Sequence, residues 1–144
     1  MRYLLIAVGA VIVLGAVVAV CGILLPEKHT ASRQARYRQT PDAVWAAITS
    51  YQGDSSLQYQ VEASDKPHRY VTRATDPHHN FGGTWTWEIR PAEGGSTLRI
   101  TEDAEIYNPM FRFVSRFIMG YTRSMDDALK AFATQFHENV QIED

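Results

Sequence analysis

The chain has 144 residues, a net charge of −2 and a pI near 6.2. That length suits one domain, and the charge balance gives no electrostatic case for nucleic acid, because acidic and basic residues are interspersed. The single cysteine, Cys21, excludes an intrachain disulfide, so the fold needs no oxidising compartment.

Residues 3–25 are apolar or glycine without interruption. A helix rising ~1.5 Å per residue over this segment reaches roughly 35 Å, enough for a hydrocarbon core of ~30 Å. A cleaved signal peptide is the competing reading, but it needs a small-residue cleavage site, and LLPEKH at 24–29 offers none. VAVC at 18–21 loosely matches a lipoprotein site, yet Val20 is large and GILL continues the apolar run. Residues 1–26 therefore read as an uncleaved single-pass anchor, with Cys21 as a small apolar residue within it. Counting Arg2 on one side against Lys28, Arg33, Arg36 and Arg38 on the other places the domain 27–144 in the cytoplasm. The very short tail before the helix leaves the opposite orientation open.

Pro26 ends the anchor and EKHTAS forms a short polar linker. Residues 31–39 read as a polar edge strand, with Ala35 and Tyr37 on one face and Arg36 and Arg38 on the other. TPDAVWAAI carries a capping Thr40, Pro41 at the first helical position and Asp42 beside the helix N-terminus, so a short helix follows. After the turn-rich TSYQGDSS come LQYQVEA, RYVTRAT, TWTWEIR and TLRITEDAEI, four alternating strands joined by short turns and therefore an antiparallel meander. The last segment opens with Asn108 and Pro109 as cap and first residue. It repeats Met110, Val114, Phe117, Tyr121, Met125, Leu129, Phe132 and Phe136 at helical spacing, broadened by Phe113, Ile118 and Ala128. Gly120 sits mid-run, where a kink or a break into two helices is expected. The pattern predicts an α+β domain in which a curved antiparallel sheet of about five strands packs on a long C-terminal helix.

The pieces TPDAVWAAIT, PHRYVTR and FGGTWTWEIRP…GGSTLRITEDAEIYNPMFRFVSRF resemble the START-like (SRPBCC) helix-grip superfamily. That superfamily includes lipid-transfer domains, polyketide cyclases/dehydrases and birch-pollen-allergen-like proteins. The last block is similar to small bacterial members with an N-terminal membrane anchor. The resemblance spans roughly residues 26–138 and implies a sheet gripping the C-terminal helix around a hydrophobic ligand. One departure matters: TSYQGDSS runs directly into LQYQVEA where relatives place two more strands. The open side then faces the membrane, is covered by a second subunit in a homodimer, or is shallow.

Alternation directs Leu98, Ile100, Glu102, Ala104 and Ile106 to one face and Arg99, Thr101, Asp103 and Glu105 to the other. Glu102 is thus the inward acid of the cluster, and an inward carboxylate needs a partner or a raised pKa. It either pairs with an arginine or a backbone group near the sheet end, or serves as a pocket acid. Trp85 and Trp87 share a face with Ile89, as core or as ligand platform. His78 and His79, adjacent on a loop near Asp76, lack the spacing of a metal site, and neither metal nor cofactor is expected. No nucleophile or phosphate-loop motif is present. Arg112, Arg116 and Arg123 follow one side of the last helix, as a solvated face or as a contact for anionic headgroups.

The expected function is a membrane-anchored binding domain for a small hydrophobic or lipid-like ligand. Its lining would be Trp85, Trp87 and Glu102 from the sheet with Phe113, Phe117 and Tyr121 from the helix, and no residue is assigned to catalysis. The alternatives are an interaction module completed by a partner or second copy, and a cyclase- or hydrolase-like enzyme using Glu102.

Overall fold

The computed structural model describes residues 1–144. Helix α1 (Arg2–Leu24) stands out from the domain, exposed along its length except at the face of its last two turns around Val18, Ala19 and Gly22. The domain follows as β1 (Lys28–Tyr37), α2 (Pro41–Ser50), β2 (Gln58–Asp65), β3 (Arg69–Thr75), β4 (Phe81–Ala92) and β5 (Gly95–Ile106). It closes with α3 (Pro109–Val114), a π-helical turn (Ser115–Met119), α4 (Arg123–Gln135) and β6 (Ile142–Glu143).

The sheet is antiparallel in the order β2-β3-β4-β5-β1-β6. All five expected strands are present, and the two-residue β6 adds a sixth by pairing with Gln34 and Ala35. β1 is therefore not an edge strand over its whole length; it begins at Lys28, earlier than the polarity of EKHTAS suggests, because ten residues pair with β5. The β4–β5 hairpin is set by its turn. Gly94 takes φ 72, a left-handed conformation that costs glycine little, and Ala92 faces Gly95, so every earlier pair follows, Trp85 opposite Glu102 among them.

α2 starts where the sequence indicates, with the Thr40 side chain accepting from the Ala43 amide at 3.3 Å. It buries Val44, Trp45, Ala47 and Ile48. α4 presents Met125, Ala128, Leu129, Phe132 and Ala133 to Ala35, Tyr37, Ile89, Leu98 and Ile100. Each large side chain fully buried in such a core contributes about 1.5–3 kcal/mol of hydrophobic free energy. The Tyr37 hydroxyl donates to the Leu129 carbonyl at 2.7 Å, tying strand to helix. At the start of α4, Arg33 reaches Asp126 at 3.2 Å and the Thr122 hydroxyl at 3.3 Å.

The C-terminal helix is not continuous. The π-helical turn ends at Gly120, whose φ of 78 no helix can continue, and the chain restarts at Arg123 after Thr122. α4 thus grips β1, β5 and β4, while α3 and the π turn swing toward α1. Nothing helical covers β2, whose residues are exposed except for a half-buried Ala63.

Candidate functional site

Two rows of side chains cross the inner face of the sheet at its uncovered end. One runs Val61, Thr72, Trp85, Glu102 and Ala31; the next runs Tyr59, Ala74, Gly83, Ala104 and His29. The centre of the second row holds only two alanines and a glycine, so the sheet surface is low there. A Cβ at Gly83 would lie 2.6 Å from the Asp103 carbonyl oxygen, which keeps the position glycine. This low row is the floor of a cleft of about 960 Å³, at the upper end of the ~300–1,000 Å³ typical of small-molecule sites.

Trp85, Trp87 and Tyr70 form one wall, the 51–57 loop after α2 a second, and Phe111, Ser115, Met119 and Tyr121 stand at one end. Tyr59 and Val61 remain about half exposed, at 50% and 53%, so the cleft is open along β2. Trp87 belongs to both regions. Its ring packs edge-on against Phe132 and Tyr51, it is 4% exposed, and its indole nitrogen has no partner within the protein.

Glu102 lies inside the cleft with one hydrogen bond, from the Trp85 indole at 2.9 Å. It meets neither an arginine nor a backbone amide, the partners the sequence offers for such a residue. Burial raises the pKa of its carboxyl above the usual glutamate value, and the indole bond opposes the rise. His29 stacks on Tyr121 with ring centroids 3.7 Å apart, and burial lowers its pKa, favouring the neutral imidazole. Asp54, held by the Ser56 amide and hydroxyl at 2.8 and 2.7 Å, and Asp127 also line the cleft; no lysine or arginine does. The cleft is therefore an apolar slot whose charged groups are all carboxyls.

Of the six residues expected to line a pocket, the structure brings Trp85, Trp87, Glu102 and Tyr121 to this cleft; Phe113 and Phe117 lie elsewhere. Those two pack on each other at 5.0 Å, and Phe117 is 62% exposed. The helical break is the physical reason. With the continuous register lost, the spacing 111, 115, 119 faces the cleft and the 113, 117 spacing does not. Arg112 is likewise not on a solvated face. Only 7% exposed, it donates to the carbonyls of Ile106 and Tyr107 at 2.6 and 2.9 Å and pairs with Glu27 at 2.6 Å. In the 76–80 loop Asp76 accepts from the Asn80 amide and side chain at 2.9 and 2.8 Å, so this acid shapes the turn. Tyr59, Val61 and the 51–57 loop are site residues that sequence reasoning missed. The alternation of LQYQVEA signalled an inner face there, but not that the face lacks a covering helix.

The layout of one open antiparallel sheet against a C-terminal helix is the helix-grip fold. No protein-family model matches the chain, and no curated protein matches its sequence. Among solved structures, the Mll3558 protein from Rhizobium loti superimposes with a TM-score of 0.56 at 18% identity, over 72% of this chain and 96% of that one. A conserved protein from Geobacillus kaustophilus gives 0.56 at 12% identity, over 79% of this chain and 100% of that one. Ara h 8.0201 gives 0.50 at 9% identity, over 75% and 99%. At these identities the likeness shows the fold, and chemistry has to be read from the cleft itself.

Proposed function

We propose that this protein is a single-pass membrane-anchored binding domain, with 1–26 as anchor and 27–144 as a helix-grip domain of START-like type that takes up a small hydrophobic or lipid-like molecule. The observation that carries the reading is the cleft, which is apolar-walled, of ligand size, and has one carboxyl deep within it and no cation on its lining. Those features favour a ligand with an apolar body and a neutral donor or cationic head. The body lies against Trp85, Tyr70 and Val61, and the head donates to Glu102. An anionic amphiphile would meet three carboxyls with no compensating charge. α1 supports the anchor, being long enough and apolar from Tyr3 onward.

The hydrophobic core holds no residue of α1, so the fragment 27–144 retains it and suits a soluble test. Matched neutral, cationic and anionic naphthalene fluorophores are titrated into it. Saturable one-to-one uptake of the neutral and cationic probes is expected, with the anionic one at least about tenfold weaker, as ~1.4 kcal/mol of charge repulsion would produce. Val61→Asp should remove uptake while leaving the fold intact, since Val61 stands at the open side. No saturable uptake, or uptake indifferent to Val61→Asp, would sink the proposal.

The reading in which a second copy completes the sheet has β2 as its docking edge. A β-bulge between Val61 and Ala63 breaks the register of that strand, a device that discourages edge-to-edge pairing. A dimer that forms without ligand uptake would favour that alternative. Retained turnover of any substrate found, in Glu102→Gln, would remove the enzymatic one.

A further inference from the structure

Between Asn108 and Tyr121 the chain does something the ligand reading leaves unexplained. α3 and the π turn expose Met110, Phe111, Phe117, Ile118 and Met119, the last three at 62%, 69% and 55%. Apolar residues so concentrated on one short segment of a domain surface mark a contact with something apolar. Their position says what it is.

α3 packs directly on α1. A Cβ at Gly22 would overlap the Pro109 carbonyl, so the two backbones touch where α1 has no side chain. Arg112 locks the joint. Its guanidinium binds Glu27 just past the end of α1 and the Ile106 and Tyr107 carbonyls at the end of β5, and reaches toward the Leu25 carbonyl. Residues on α1 that lose exposure here begin at Val18. Leu24, the end of the helix, lies six residue steps beyond Val18, so α3 lies alongside the final ~9 Å of α1 at ~1.5 Å per residue. An interfacial helix sits ~5–10 Å into the boundary between headgroups and acyl chains, and this is the same depth.

We propose that residues 109–120 form a second membrane contact, half-inserted in the bilayer interface beside α1, so that the end of the cleft opens toward lipid. The inference rests on α1 being a membrane span. The polar side of the segment suits the location. The Arg116 guanidinium stands 5.7 Å from the centre of the Tyr121 ring, on which His29 also stacks, and an arginine with aromatic rings is a combination that seats at headgroup level. Phe111 and Met119 line the cleft, remain partly exposed and belong to the same short segment as Phe117 and Ile118, so they form its sill. A hydrophobic ligand would then pass from the bilayer over this sill into the cleft without crossing water.

The test uses the full chain in phosphatidylcholine vesicles. In a Cys21→Ser background, single cysteines at Val13→Cys, Ile118→Cys and Lys130→Cys carry an environment-sensitive fluorophore. Lipids spin-labelled at shallow or deep acyl positions and aqueous iodide serve as quenchers. All three sites are exposed on the protein, so labelling leaves the core untouched, and circular dichroism checks folding. The expected pattern is Val13 quenched most by the deep label, Ile118 most by the shallow label, and Lys130 by iodide alone. If Val13 is deep and Ile118 behaves like Lys130, the interfacial contact is overturned while the span stands. If Val13 is open to iodide, the span fails and the inference falls with it. A second measurement uses Ile118→Asp, which should slow transfer of a neutral fluorophore from vesicles by about tenfold or more and leave its affinity in detergent unchanged. An unaltered transfer rate would overturn the role of the sill.

Discussion

One sheet carries two different surfaces. Over β1, β5 and most of β4 the inner face is sealed by α2 and α4, and the side chains there, from Tyr37 to Phe132, are almost wholly removed from water. Over β2 and β3 the same alternation points Tyr59, Val61 and Thr72 into a cleft that nothing covers. Strand geometry is alike in both halves; what differs is the reach of α4, cut short by the break at Gly120. An inner-face residue in the first half is a stability residue, and one in the second half is free to serve binding. Trp87 stands on the border and Trp85 just beyond it.

The sharpest way to break that comparison is Phe132→Ala. It removes a ring packed on Tyr51 and Trp87 and should cost about 3–5 kcal/mol, whereas Val61→Ala, at a half-exposed position, should stay within about 0.5 kcal/mol. Urea unfolding of both in the 27–144 fragment decides the matter; comparable losses would mean the two halves are one core.

Arg112→Leu tests the joint rather than either half. It leaves the Ile106 and Tyr107 carbonyls without their donor, a loss of about 1–3 kcal/mol. The full chain should also become cleavable by protease near Pro26. Unchanged stability and unchanged protease resistance would show that the Arg112 contacts do not hold α1 to the domain.

The smallest effect is a slope. The folded state binds the Glu102 proton more tightly than the unfolded chain does, because burial raises its pKa. The contribution of Glu102 to stability is then greatest in acid and falls as pH rises from the ordinary value of 4.5 through the raised one, levelling off above it. Glu102→Gln keeps an acceptor for the Trp85 indole and removes that component, so it should be at least as stable as the parent at neutral pH and show less decline. Identical pH profiles of the urea midpoint would place the carboxyl in water rather than in the cleft.

Much of this layout was legible in the chain. The Thr40–Pro41 helix start, the meander, the inward parity of Glu102 and the α4 stripe all depend on local spacing, and short-range geometry enforces them. The Trp85–Glu102 pair follows only once the structure places the turn at Gly94 and fixes the register. The partner of Arg112 was not legible, because Glu27 lies 85 positions away. Nor was the misplacement of Phe113 and Phe117, since a single π turn re-aims a helical stripe without leaving a periodic signature.

The sequence alone determined which face of each strand is apolar, where the capped helices α2 and α3 begin, and that one segment is long and apolar enough to span a bilayer, because side-chain alternation, caps and helix rise act between neighbours in the chain. Only the tertiary structure decided which part of the apolar sheet is core and which is cleft, and that α3 lies along α1. Both depend on how far one helix reaches across a sheet it meets only after folding.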